Sequence, residues 1–161
     1  MKTRLLKALD ASKDCKEIKE ILRLEPSQIF SYNKKGKSPL HKAVEQGNHE
    51  MVDYLMVWGA SPNIKDRMGH TPLHLAIIHK HFKIAKLLIV GNAFVNSVSA
   101  TGKTVLHFLA DHQEDEETLE MATFMLRLGA YPRKKDRNAF TALDWAEKSK
   151  KMLLLELLKQ Y

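Results

Sequence analysis

A four-residue phrase recurs four times in this chain and constrains its fold more than any other feature. The copies begin at Ser38, Thr71, Thr104 and Thr141 and read Ser-Pro-Leu-His, Thr-Pro-Leu-His, Thr-Val-Leu-His and Thr-Ala-Leu-Asp. The first two steps are 33 residues long and the last is 37. A period of this length is typical of stacked repeats, in which each unit buries its apolar face on its neighbours. Such an array presents an extended surface rather than a catalytic pocket.

The clearest copy of the repeat runs from Asp66 to Asn96 and predicts a turn followed by two short helices. Asp66 and Gly69 have the chemistry of a tight turn, and Thr71 followed by Pro72 is typical of a helix start. Apolar residues then recur at helical spacing in two groups, Leu73, Ala76 and Ile77 and later Ile84, Leu87 and Leu88. Isolated helices this short are marginal in water, so each has to pack on adjacent repeats.

This pattern resembles the ankyrin repeat. The family's Asp-x-x-Gly-x-Thr-Pro-Leu-His-x-Ala motif is present from Asp66 to Ala76, and its Gly-Ala-x-x-Asn exit is similar to the segment from Gly59 to Asn63. The resemblance covers about residues 33–158. It implies an all-α solenoid of helix-turn-helix repeats that are joined by β-turn or hairpin loops.

The repeat register predicts a single domain, 1–161, made of five segments. They are a degenerate N-terminal cap at 1–32, with helices over 3–13 and 15–24, repeats at 33–65, 66–98 and 99–135, and a capping repeat at 136–161. Terminal repeats are expected to be atypical because one of their faces meets water. The 37-residue step places an acidic insertion near 111–117, between the two helices of the third repeat.

Two positions depart from the glycines that the family has in its turns. Lys80 stands between the two helices of the second repeat, and Ala139 stands in the turn of the fourth. A positive φ strains any residue that carries a Cβ. The turn at Lys80 is therefore expected either to avoid that conformation or to be strained.

Histidines at the repeat positions suggest a metal site, but the resemblance implies a structural role. In the ankyrin family this histidine bonds the backbone of a neighbouring turn, and here it is His41, His74 and His107. The sequence also contains no phosphate-binding loop, nucleophile elbow or His-Glu-x-x-His motif. We therefore expect no metal, no cofactor, no small-molecule substrate and no enzymatic activity.

Protein binding is the remaining class of function, and the resemblance implies that it uses the turn tips and the first-helix face. Ankyrin proteins usually hold a partner there, in a concave groove. The positions that project onto this surface are Lys35, Lys37, Arg67, Met68, His70, Ile78, His79, Thr101, Lys103, His112, Arg137 and Phe140. Basic residues dominate the tips, which favours an acidic segment of a partner protein with Met68 and Phe140 as apolar anchors. Tips that are charged only because they are solvated are the alternative.

A second candidate surface lies at the ends of the second helices. The family usually exposes polar residues there, whereas this chain has Val57, Trp58, Val90 and Leu128. A fixed complex could be held through this convex side, with Trp58 as a binding hot spot. Alternatively, Trp58 simply lies over the adjacent repeat.

The charge balance leaves a third interpretation open. The net charge is +7, and a basic stripe along the tips could contact nucleic acid, although no nucleic-acid motif is present. The single cysteine, Cys15, excludes an internal disulfide, and no apolar run is long enough for a signal peptide or a membrane span. We expect a cytoplasmic or nuclear regulator or adaptor that is a monomer or a subunit of a hetero-complex.

Overall fold

The computed structural model describes residues 3–11 and 15–161, and all regular elements in those ranges are helices. In chain order they are α1 (Arg4–Asp10), α2 (Cys15–Leu24), a 3₁₀ helix (Pro26–Phe30), α3 (Pro39–Glu45), α4 (His49–Val57), α5 (Pro72–Ile78), α6 (Phe82–Val90), α7 (Val105–Asp111), α8 (Glu116–Arg127), α9 (Ala142–Lys148) and α10 (Met152–Lys159). The predicted all-α repeat fold is confirmed. The first helix ends at Asp10, and residues 12 and 13 of the segment predicted as helical lie outside the described ranges. None of the described helices has the length and apolar character needed to cross a membrane.

The recurring phrase starts each first helix by a reciprocal cap. Ser38 Oγ accepts a hydrogen bond from the His41 backbone N–H, and His41 Nδ1 accepts one from the Ser38 N–H at 3.2 Å. In the last repeat Asp144 takes the place of histidine, and its carboxylate accepts from the Thr141 N–H at 2.7 Å. These bonds satisfy backbone donors that the helix itself leaves open, so each cap is worth about 1 kcal/mol.

The chain divides into two compact units, Met1–Ala93 (unit 1) and Phe94–Tyr161 (unit 2). In unit 1 the first helices α1, α3 and α5 pack in series, each second helix packs on its own first helix, and α4 also contacts α6. Its core includes the fully buried side chains of Leu6, Leu22, Leu40, Leu55 and Leu73. In unit 2, α7 packs on α8 and α9, and α10 packs on α8 and α9.

The turns at Lys80 and Ala139 adopt the left-handed conformation rather than avoiding it. Their φ angles are +56° and +66°, close to the +74° and +80° of Gly36 and Gly102 in other turns. A residue with a Cβ pays about 1–2 kcal/mol for this conformation. The fold therefore imposes the turn geometry of the repeat even where the glycine has been replaced.

The acidic insertion of the third repeat is partly loop and partly helix. α7 ends at Asp111 and α8 begins at Glu116, and α8 has 12 residues where α4 and α6 have 9 each. Asp115 caps α8 by accepting a hydrogen bond from the Thr118 N–H at 2.8 Å. The Glu114 carboxylate accepts another from the Leu153 N–H at 3.0 Å, which ties the loop to the start of α10.

Candidate functional site

The turn tips are five-residue turns closed by hydrogen bonds, and the tip at 66–70 shows how they are built. The Asp66 carboxylate accepts hydrogen bonds from the N–H groups of Met68 and His70, each at 2.9 Å. The Asp66 N–H in turn donates to the His70 carbonyl oxygen at 2.9 Å. The carboxylate of the buried Asp66 is bonded to the backbone, so the exposed side chains of this tip are those of Arg67 and Met68.

The two tips of unit 1 lie side by side. The Arg67 N–H donates to the Lys35 carbonyl oxygen at 3.0 Å. Gly36 lies directly against this bond, since a Cβ built on it would be 3.0 Å from the Arg67 nitrogen. The side chains of Lys35, Arg67 and Met68 are exposed. A backbone link thus holds two cations and one apolar side chain on neighbouring turns.

Unit 2 repeats this arrangement with different side chains. The Arg137 N–H donates to the Thr101 carbonyl oxygen at 2.9 Å. Asp136 accepts from the N–H groups of Asn138 at 2.8 Å and Phe140 at 3.0 Å. Burial acts to raise the pKa of Asp136, but these donors outweigh it and hold that pKa below its ordinary value. Its carboxylate stays ionised and bound to the turn, which leaves Arg137 as an exposed tip cation.

Two of the predicted contact residues, Lys37 and Lys103, lie mostly within the protein rather than in solvent. The Lys37 ammonium bonds the Glu45 carboxylate at the end of α3. The Lys103 ammonium lies 3.5 Å from the Asp111 carboxylate at the end of α7, and both lysine side chains are only 17% exposed. Each lysine is therefore neutralised by an acid eight residues later in the chain. They stay predictions as contact residues, but much of their charge is used internally.

Trp145 is a member of this surface that the sequence did not reveal. Its ring centre lies 3.6 Å from the Lys103 ammonium, and the Phe108 ring is 5.6 Å from the same group. The indole N–H also donates to the Asp136 carboxylate at 3.3 Å. The repeat spacing could have identified it, because Trp145 occupies in the fourth repeat the position that Phe108 has in the third.

The remaining candidates are divided between the two units. Unit 1 holds Lys35, Lys37, Arg67, Met68, His70, Ile78 and His79, of which Lys37, His70 and Ile78 are half-buried. Unit 2 holds Thr101, Lys103, His112, Arg137 and Phe140, of which Lys103 and His112 are half-buried. Burial lowers the pKa of His70, which favours its neutral form. The cations that reach solvent at the predicted positions are thus Lys35, Arg67 and Arg137.

The structural role expected for the repeat histidines is confirmed for His41 and His107. His41 Nε2 donates to the His70 carbonyl oxygen at 3.0 Å, and His107 Nε2 donates to the Phe140 carbonyl oxygen at 3.1 Å. Each therefore ties the start of its helix to the tip of the following repeat. Burial lowers the pKa of both rings and keeps them neutral. Across residues 3–11 and 15–161, no three potential ligand side chains are grouped as a metal site would require.

The second candidate surface keeps its apolar side chains in solvent. In unit 1, Val57 is 79% exposed and Val90 is 81% exposed. The ring of Trp58, which follows the last residue of α4, lies 5.7 Å from the ring of Tyr54 in α4 and stays 36% exposed. In unit 2, Leu128 is 45% exposed. Unit 1 thus carries an apolar end on each of two adjacent second helices.

Comparison with protein families identifies ankyrin repeats in this chain. The family model described as ankyrin repeats, in three copies, matches residues 5–99. This segment is more than half of the 161 residues and begins within α1, so the match includes the segment predicted as a degenerate cap. A search of curated proteins found no match to the chain.

Proposed function

Because the chain belongs to the ankyrin-repeat family, we propose that it is a non-enzymatic regulator or adaptor that binds one partner protein through its turn tips and first-helix face. Ankyrin repeats are generally protein–protein interaction modules. The partner segment that fits this surface is acidic and carries at least one apolar side chain. The module would regulate by covering or recruiting that segment, since the partner would supply any chemistry.

The observation that carries this proposal is that unit 1 has one tip lysine whose charge is neutralised within the protein and two tip cations that are exposed. Lys37 is neutralised by Glu45, whereas Lys35 and Arg67 are exposed and, within the described residues, form no salt bridge. Their backbones are linked at 3.0 Å, so the two charges are held on adjacent turns before any partner arrives. Preorganised charge of this kind favours fast and selective association with an acidic surface.

Met68 supplies the apolar part of the same surface. Its side chain, within the tip at 66–70, is 58% exposed, and its own N–H donates to the Asp66 carboxylate at 2.9 Å. Flexible thioether side chains adapt to irregular apolar partners. In unit 2, Phe140 is 44% exposed and takes the corresponding role. We also propose an intracellular location, because the sequence has one cysteine, Cys15, and it is a free thiol.

The test compares partner capture by the wild-type chain and by a Lys35→Glu/Arg67→Glu variant. Each exposed cation contributes about 0.2–1 kcal/mol, and reversal also adds repulsion, so we expect the double variant to bind at least about tenfold more weakly. The control is Arg127→Glu/Lys159→Glu, which makes the same charge change at exposed helix ends. Bound proteins are quantified by mass spectrometry after capture from the native cell type, with folding checked by circular dichroism.

Three outcomes would decide the matter. Proteins that are retained by wild type and control but lost from the double variant would support binding at the tips. Equal capture by all three chains would refute the tips as the binding surface. Loss of the captured material on nuclease treatment, with an affinity that falls steeply between about 50 and 200 mM salt, would favour the nucleic-acid alternative instead.

A further inference from the structure

The stripes of α4 and α6 on one side of these helices, exposed apart from the half-buried Lys86, have opposite charge, and each ends in an exposed valine. Along α4 the stripe is Glu50, Asp53 and Val57, and along α6 the residues 33 positions later are Lys83, Lys86 and Val90. The spacing i, i+3 and i+7 places each set on one face of its helix. The two helices pack beside each other in unit 1, so an acidic stripe and a basic stripe lie next to one another.

We propose that this face binds a second copy of the chain. A two-fold axis that runs along the helices, midway between α4 and α6, would place α4 of one copy over α6 of the other in the same direction. Asp53 would then face Lys86, Glu50 would face Lys83, and Val57 would face Val90. An isologous interface forms each contact twice, so every attractive pair in this arrangement is duplicated.

The apolar ends give this face its hydrophobic contribution. Val57 and Val90 are 79% and 81% exposed, and they occupy equivalent positions at the ends of two helices that pack on each other. The half-buried Tyr54 and Leu87 lie at a second pair of equivalent positions on these helices. The same axis brings Tyr54 opposite Leu87, so apolar positions meet apolar positions and charges meet opposite charges.

Charge complementarity is what favours a second copy over an unrelated protein. The sequence alone favoured a monomer or a subunit of a hetero-complex. Each copy of the chain, however, carries both an acidic and a basic stripe, so a second copy supplies the complementary charge for both. Within unit 1, Lys19 already binds the Glu50 carboxylate at 2.8 Å. Asp53 is therefore the acid whose reversal most directly tests the arrangement.

The proposed dimer is weak because the face is small. Each helix has nine residues and is therefore about 13 Å long. The area that two such helices can bury is at the low end of the range for specific interfaces, where weak and transient complexes are found. We expect a dissociation constant of about 10–100 μM, which is weaker than the μM to pM range of standard-size interfaces. The face is separate from the turn tips, so the dimer and the proposed partner binding can succeed or fail independently.

Sedimentation velocity and light scattering of the purified full chain test the proposal between about 5 and 500 μM at about 50 mM salt. The wild-type mass should rise with concentration from the monomer value of 18.5 kDa toward twice that value. Asp53→Lys and Lys86→Asp should each weaken the dimer at least about tenfold, because each turns two attractive pairs into repulsive ones. Val57→Asp should have a similar effect.

The charge-swapped chain Asp53→Lys/Lys86→Asp separates this arrangement from a general effect of the substitutions. It restores an opposite pair across the two-fold axis, so its dissociation constant should return to within about threefold of wild type. Glu156→Lys makes the same charge change as Asp53→Lys on the exposed part of α10 and should leave the mass curve unchanged. Urea unfolding of each variant confirms that it is folded.

Several results would overturn the proposal. A wild-type chain that stays at 18.5 kDa at 500 μM would do so, whether the face is free or is used by a different protein. A swapped chain that dimerises no better than the single variants would show that Asp53 does not face Lys86. Loss of the dimer in the Glu156→Lys control would indicate an interface elsewhere.

Discussion

Replacing Ala139 by glycine should stabilise the protein. Ala139 has φ +66° in the tip of the fourth repeat, at the position that Gly36, Gly69 and Gly102 occupy in the other tips. The left-handed conformation costs a residue with a Cβ about 1–2 kcal/mol. Glycine removes that cost but loses about 0.5–1 kcal/mol more entropy on folding. Because the exposed methyl group contributes little packing, we expect a net gain of about 0.5–1 kcal/mol in the free energy of unfolding.

Urea unfolding and thermal melting, both followed by circular dichroism, measure this change. For a chain of this size 1 kcal/mol corresponds to about 2–4 °C, so the melting temperature of Ala139→Gly should rise by about 1–4 °C. Gly102→Ala is the matched reverse change. Its φ is +80°, and a Cβ would lie 2.9 Å from the Arg137 nitrogen, so it should lose about 2 kcal/mol or more.

Comparison of the stabilities of Ala139→Gly and Gly102→Ala tests whether the positive φ strains Ala139. If Gly102→Ala is destabilised as expected while Ala139→Gly melts at or below the wild-type temperature, then Ala139 is not strained and the φ argument is wrong. If Gly102→Ala is neutral, the close approach of the two tips does not exist in solution.

Two further predictions concern hydrogen bonds between repeats. Burial lowers the pKa of His41 and His107, so at these two positions the unfolded chain binds protons more readily than the folded one. The free energy of unfolding should therefore be level above about pH 6.5 and fall as the pH drops below that value. Urea midpoints measured from pH 8 to pH 5.5 test this, and an unchanged midpoint would contradict it. The Asn96 side chain donates to the Gly129 carbonyl oxygen at 2.8 Å and accepts from the Tyr131 N–H at 2.9 Å. Asn96→Ala should therefore lower the free energy of unfolding by about 1–2 kcal/mol and speed hydrogen exchange at the Tyr131 amide. Unchanged exchange at that amide would show that the bond is not maintained in solution.

Most of the fold could be predicted from the sequence because its signals are local. The cap at Thr71 and the proline at position 72 predict a helix start, and α5 begins at Pro72. The sequence predicts a break at 80–82 between the two apolar groups, and in the structure α5 ends at Ile78 and α6 already begins at Phe82. Helix caps and apolar periodicity act within one or two turns of chain, so one repeat contains enough information to define its own helices.

The candidate surface was harder to predict because side-chain direction depends on neighbours that are distant in sequence. Lys37 and Lys35 look alike as tip lysines, yet Glu45 draws Lys37 against α3 while Lys35 stays in solvent. Lys103 packs on Trp145, 42 positions later in the sequence, and that contact exists only because the third and fourth repeats stack in unit 2. Composition of the tips therefore overstates how many of their charges are available to a partner.

By itself the sequence determined the all-α repeat fold and the ankyrin family of this protein, because caps, turns and periodic apolar residues are encoded within each repeat. Only the tertiary structure decided the rest. It set a positive φ at Lys80 and Ala139, since bonds to the rest of each turn outweigh the local preference of a residue with a Cβ. It also brought the opposite stripes of α4 and α6 side by side, because stacking converts a spacing of 33 residues along the chain into direct contact between helices.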